Sequence, residues 1–115
     1  MNTSQNNCGV AFADKQIESQ KEFLHHEIHK LLYSKEEGDP RLNTYFDKTM
    51  RLISGMNELL SYPPEIITLL SLLQAGKDEA NKPDYNHQTY RSIIFDSHSC
   101  LDRLFRGAGD DHVPG

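Results

Sequence analysis

At 115 residues with a formal net charge of −5, the chain is sized for one hydrophobic core. It has no Lys/Arg run, which argues against the clustered positive face that a phosphate backbone requires. Leu, Ile, Val and Phe supply 27 residues, above the roughly one-fifth level below which chains tend to stay disordered, and only two of them are valine, so the apolar content suits helices better than strands.

The opening MNTSQNNCGVAFADK lacks the basic region and apolar core of a secretory signal. The longest greasy stretch, IITLLSLL at 66–73, falls far short of the ~20 residues that cross a bilayer. These features predict a cytoplasmic protein with no membrane contact. The first helix is expected from about Ala11 to Lys35, with Ile17, Leu24, Ile28 and Leu31 repeating along one stripe. KEEGDP punctuates its end: Gly38 for the left-handed stop, Asp39 as the next N-cap and Pro40 at the first helical position. A second helix, about Pro40 to Ser61, places Leu42, Tyr45, Phe46, Thr49, Ile53, Met56 and Leu60 on one side. Asp47 and Arg51 are set as an i, i+4 pair.

Pro63 and Pro64 stop that helix and open a third, short and apolar, from Pro64 to about Ala75 with Gly76 as its C-cap. KDEANKPD at 77–84 reads as a mobile polar loop or a fraying extension. A fourth helix is expected after Pro83, capped by Asp84, with Tyr90, Ile94, Leu101, Leu104 and Phe105 on a common face to about Arg106. Three long amphipathic helices and one short apolar helix on short loops predict an all-α, up-and-down four-helix bundle; a three-helix core with an appended helix is the alternative. Residues 11–106 form the single domain, between tails at 1–10 and 107–115 that are expected to be disordered.

Candidate chemistry concentrates in EFLHHEIH at 22–29. The Glu22-x-x-His25 spacing resembles that of carboxylate-bridged di-iron bundles, in which such residues point inward. Here the stripe of Glu18, Glu22, His25 and His29 lies roughly 110° around the helix from the apolar stripe, and no second helix supplies the matching half. A metal-binding bundle using Glu22, His25 and His29 is therefore the alternative reading, and a solvated face with weak local pairs the leading one. A small four-helix protein with exposed histidines also resembles the histidine phosphotransfer modules in architecture. None of its histidines carries the nearby Lys-Gly that usually follows that family's acceptor.

FDSHSC at 95–100 gathers Asp, Ser, His and Cys. His98 and Cys100 diverge by about 200° on a helix, and Asp96, one turn before Cys100, would push its thiol upward, so no activated nucleophile is assigned. Cys8 and Cys100, outside any CxxC spacing, are expected as free thiols, Cys100 as a packing residue. His98 and Asp102 are set as an i, i+4 pair.

The third helix is the strongest anomaly. Ile66, Ile67, Leu69, Leu70, Leu72 and Leu73 spread over roughly 220° of the wheel, wider than the stripe of an ordinary surface helix. Two buried faces follow: either the helix sits centrally in its own bundle, or one face packs internally and the other meets a partner chain or a second copy, with Tyr62 and Met56 beside it. The expectation is a small non-enzymatic protein–protein interaction module, an adaptor, regulator or secretion-chaperone-like binder, with no cofactor and no nucleic-acid partner.

Overall fold

The computed structural model describes residues 3–58, 60 and 62–110, with side chains between Gln16 and Arg106. Among the described residues there are four helices and no strand: α1 (Thr3–Glu37), α2 (Leu42–Gly55), α3 (Pro64–Ala80) and α4 (His87–Asp110). Packing runs α1 on α2, α2 on α3, α3 on α4 and α4 back on α1, with α3–α4 the most extensive pair. Every helix thus has two principal neighbours, and short connections join them in sequence. This is the four-helix arrangement of an up-and-down bundle, and no helix is an appendage.

Each apolar stripe meets the others in a single core. Leu24, Ile28 and Leu31 from α1, Phe46 and Ile53 from α2, Ile66, Leu69 and Leu73 from α3, and Tyr90, Ile94 and Leu101 from α4 are at most 2% exposed. Phe46 and Tyr90 meet edge to face, with ring centroids 6.3 Å apart. Burying a side chain of this size contributes roughly 1.5–3 kcal/mol, so the four stripes together supply the main drive to fold.

Helix ends show where local chemistry decides. After α1, the Gly38 N–H donates to Lys35 O and the Asp39 N–H to Ser34 O, with Gly38 at φ +73°, which is a Schellman stop. The Asp39 carboxylate accepts the Arg41 N–H at 2.9 Å and the Tyr45 hydroxyl at 3.1 Å, which ties the turn before α2; the helix itself starts at Leu42, with Arg41 rather than Asp39 at its N-cap and Pro40 in the turn. α1 begins at Thr3 rather than Ala11, with no proline between 3 and 39 to interrupt it. α4 continues to Asp110, past Arg106. Of the expected tails, residues 1–2 and 111–115 lie outside the described residues.

Three further local expectations are corrected. α2 ends at Gly55 instead of Ser61, and Met56, Asn57, Leu60 and Tyr62 donate their N–H groups to Ile53, Ser54, Met56 and Asn57 in a series of turns. α3 does not stop at Gly76. It runs to Ala80, and Gly76 is buried where an added Cβ would stand 3.3 Å from Ile93 Cγ2 and 3.4 Å from Phe46 Cε1. The missing side chain is used for close packing, not for a cap. Asp84 is not the cap of α4 either, because Asn86 Oδ1 accepts the Thr89 N–H at 2.9 Å.

The polar stretch 77–84 is anchored. The buried Glu79 side chain accepts the Asn86 N–H at 2.8 Å and pairs with Lys82 at 3.2 Å. That backbone hydrogen bond holds the Glu79 carboxyl below its ordinary pKa, against an upward push from burial, with Lys82 adding to the lowering. Lys35 Nζ donates to Ala80 O at 3.0 Å, closing the end of α3 from α1. Lys77 reaches Asp47 at 2.8 Å across the α2–α3 seam. No helix among the described residues is long and apolar enough to cross a membrane.

Candidate functional site

α1 and α4 bring a polar cluster to the rim of their seam. His25 Nδ1 stands 2.8 Å from His98 Nδ1, and His25 Nε2 stands 2.8 Å from Asp102 Oδ1. The two imidazole planes lie within 12° of each other, with centroids 5.0 Å apart. His29, one turn along α1, has its ring centroid 6.3 Å from that of His98 and packs edge-on against Tyr33. Lys21 Nζ lies 3.8 Å from Asp102 Oδ1.

Helical spacing explains the assembly. His25 sits beside the buried Leu24 and one turn before Ile28 and His29, so it occupies the flank of the apolar stripe rather than its centre. On α4, His98 and Asp102 are one turn apart beside the buried Ser97 and Leu101. The expected His98–Asp102 pair is replaced by a chain that crosses helices, in which Asp102 holds His25 and His25 meets His98.

Donor and acceptor roles follow from the carboxylate, which only accepts. His25 Nε2–H donates to Asp102, so neutral His25 offers a lone pair at Nδ1 and His98 donates its Nδ1–H there. Burial pushes the His98 pKa down to about 4, helped by the neighbouring His25 and His29 and opposed by Asp102. For Asp102, burial pushes upward, yet the His25 hydrogen bond and the positive fields of His25, Lys21 and Arg106 outweigh it and leave its pKa lowered.

Neither candidate nucleophile is activated by this cluster. The Ser97 hydroxyl donates to Ile93 O at 2.8 Å, and the fully buried Cys100 directs Sγ toward Glu65 O at 3.5 Å. Burial, more than any charge, raises the Cys100 pKa; Arg103 opposes it and Glu65, rather than the expected Asp96, adds to it. Glu22 and His29 are exposed. Among the described residues, no group of three or more His, Cys, Asp or Glu side chains converges as a metal site.

The α3 residues divide sharply. Ile66, Leu69 and Leu73 are inside the chain's own core, as is Met56 of the turn after α2; Leu70 and Leu72 pack at its margin. Ile67 is 70% exposed and Tyr62 is 65% exposed, well beyond the other exposed large apolar side chains, Phe95, Phe23 and Leu52. Tyr62 also has φ +56°, the only positive value at a non-glycine residue among those described. A bulky side chain in that region costs about 1–3 kcal/mol.

Surface depressions also lie among the described residues. One, of about 250 Å³, lies between Lys35, Asp39, Asn43 and Asn81, whose polar atoms already bond to neighbours in the chain. Another is an open hollow between His87, Gln88, Arg91, Ser92 and Phe95, with the Arg91 guanidinium over the Phe95 ring. Compared with protein-family models, with curated proteins and with solved structures, the chain matches none.

Proposed function

We propose that this chain is a non-enzymatic helical interaction module that self-associates or receives a protein partner at the N-terminal end of α3. The observation that carries the reading is Tyr62. An aromatic ring is held in water by a strained backbone conformation, five residues before the exposed Ile67, and neither side chain belongs to the core cluster of the described residues. Strain of this kind persists where the surroundings enforce it, and an apolar pair presented to solvent gains free energy when a partner covers it. Aromatic anchors are also enriched among the residues that dominate binding energy.

The interface expected from the wide apolar wheel of α3 thereby contracts. Ile66, Leu69 and Leu73 serve the internal face, leaving Ile67 and Tyr62 outward with Leu70 and Leu72 at the margin. The net charge of −5 supports a protein partner over nucleic acid. The test is Ile67→Glu, read by sedimentation velocity over a concentration series and by circular dichroism. Ile67 is exposed, so the fold survives the charge. The reading expects concentration-dependent association of the wild-type chain that the variant loses. A chain that stays monomeric, with or without the substitution, removes self-association.

A further inference from the structure

We propose that the His25–His98 contact is an acid-operated latch, which holds α1 to α4 while at least one of the two imidazoles is neutral and opens the seam locally once both are charged. The inference does not depend on the interaction reading.

Geometry carries it. The two Nδ1 atoms stand 2.8 Å apart, a hydrogen-bond separation at which one nitrogen donates and the other offers a lone pair. Asp102 decides which, because its carboxylate takes the Nε2–H of His25 at 2.8 Å and leaves His25 Nδ1 as the acceptor. The rings therefore titrate as a unit. One added proton enters at the outer nitrogen of His98 and leaves the Nδ1–H bond in place, now charge-assisted. A second puts two Nδ1–H groups face to face with no acceptor between them, on stacked rings whose centroids are 5.0 Å apart. That contact cannot hold, and its two halves belong to different helices.

The surrounding charges make the second proton costly to the closed seam. From α1, His29 lies 6.3 Å from His98 between ring centroids, Lys21 approaches Asp102 at 3.8 Å, and Glu22 is exposed one turn before His25. From α4, Asp102 pulls the other way and Arg106 acts on Asp102. On the far sides, Glu65 of α3 acts on Cys100 and Lys48 of α2 pairs with Glu27. In acid, Lys21, His25, His29 and His98 thus gather around one carboxylate. Burial, then the charges of His25 and His29, hold the His98 pKa down to about 4 against the pull of Asp102. The closed seam refuses a proton that the opened one accepts, so the latch is secure above pH 6.5 and weakens as pH falls from there toward 4. Protons reach it freely, since it lies on the rim with His25 and His98 only half-buried.

Hydrogen–deuterium exchange of the full-length chain, read by mass spectrometry at pH 7 and pH 4 and corrected for intrinsic rates, tests the latch. The expected result for the wild type is a loss of protection in segments 21–31 and 94–106 that exceeds the loss in α2 by about tenfold. His98→Phe keeps a ring in the seam without a titrating group, and the excess loss should vanish. His29→Ala removes a repelling charge from an exposed position, so the seam should stay protected to lower pH, whereas Asp102→Asn should open it at higher pH. The proposal is overturned if α1, α2 and α4 of the wild type lose protection equally, or if His98→Phe shows the same excess. Should His98→Phe fail to fold at pH 7 by circular dichroism, His29→Ala decides, and protection at pH 4 no better than wild type overturns the latch.

Discussion

Tyr90 of α4 donates its hydroxyl hydrogen to the backbone oxygen of Leu31 in α1 at 2.7 Å, with both residues fully buried. This bond fixes the rotation of α4 about its axis relative to α1, and so fixes which residues of the two helices share the polar rim farther along the seam. Burial raises the Tyr90 pKa, with Tyr85 adding to it, which keeps the phenol a donor through the neutral range. Tyr90→Phe keeps the ring against Phe46 and removes only the bond. The expected loss is about 1 kcal/mol, measured as a lower midpoint in urea at unchanged slope.

Tyr62 sets stability against binding. Replacing it with glycine relieves the left-handed strain, partly offset by the greater freedom of glycine in the unfolded chain. Tyr62→Gly is therefore expected to match or exceed the wild type in stability by up to about 1 kcal/mol while weakening association. Chemical denaturation and sedimentation on the same samples measure both quantities.

Gly76 has the opposite character. Alanine there gains helix propensity of about 1 kcal/mol but brings its methyl against Ile93 and Phe46 at 3.3–3.4 Å, so the two effects nearly cancel. A larger group has nowhere to go. Gly76→Leu is expected to cost about 1–3 kcal/mol or more by forcing α3 away from α2 and α4, read as a lower Tm in calorimetry.

Acid should loosen the α1–α4 seam. His98 keeps a pKa of about 4 in the folded chain, against an ordinary value of 6.5, so the unfolded chain binds a proton that the folded one refuses. Its contribution is present above pH 6.5 and is lost as pH falls from there toward 4. For this half-buried ring, with solvent screening allowed for, the loss is on the order of 1–2 kcal/mol. Urea titrations in chelating buffer at pH 7 and pH 4.5 should show that decrease in the wild type and a smaller one in His98→Phe.

Sequence periodicity carried the architecture because the four apolar stripes are regular. Leu24, Ile28 and Leu31, or Tyr90, Ile94 and Leu101, could be placed without knowing their partners. Punctuation was less transparent. Gly38 is the left-handed stop it was read to be, whereas Gly76 is a packing glycine, and nothing local separates the two; the difference lies in Phe46 and Ile93 on other helices. Glu79 likewise looks like one more charge in a polar run, and its role depends on the Asn86 amide across the loop.

The histidine cluster was half visible. His25 and His29 share a face by spacing, and His98 and Asp102 share another, but the meeting of the two faces depends on the rotation of α1 and α4 about their axes, to which the Tyr90–Leu31 bond contributes. The wheel of α3 was broad for a reason internal to the bundle. Ile66, Leu69 and Leu73 fill the core, and Leu70 and Leu72 line its edge where α3 meets two neighbours. Among the described residues of α3, Ile67 is the large apolar side chain left exposed.

Site-specific photo-crosslinking on the full-length chain tests the interaction reading most directly. A photoreactive amino acid replaces Ile67 in one sample and the exposed Gln88, on the opposite side of α4 from its core face, in another, and both are irradiated in the native cell. The reading predicts a discrete higher-mass product from position 67, either a dimer of the chain or a complex with one protein, that disappears when Tyr62→Ser is added. Equal, diffuse labelling from positions 67 and 88, unaffected by Tyr62→Ser, would contradict it.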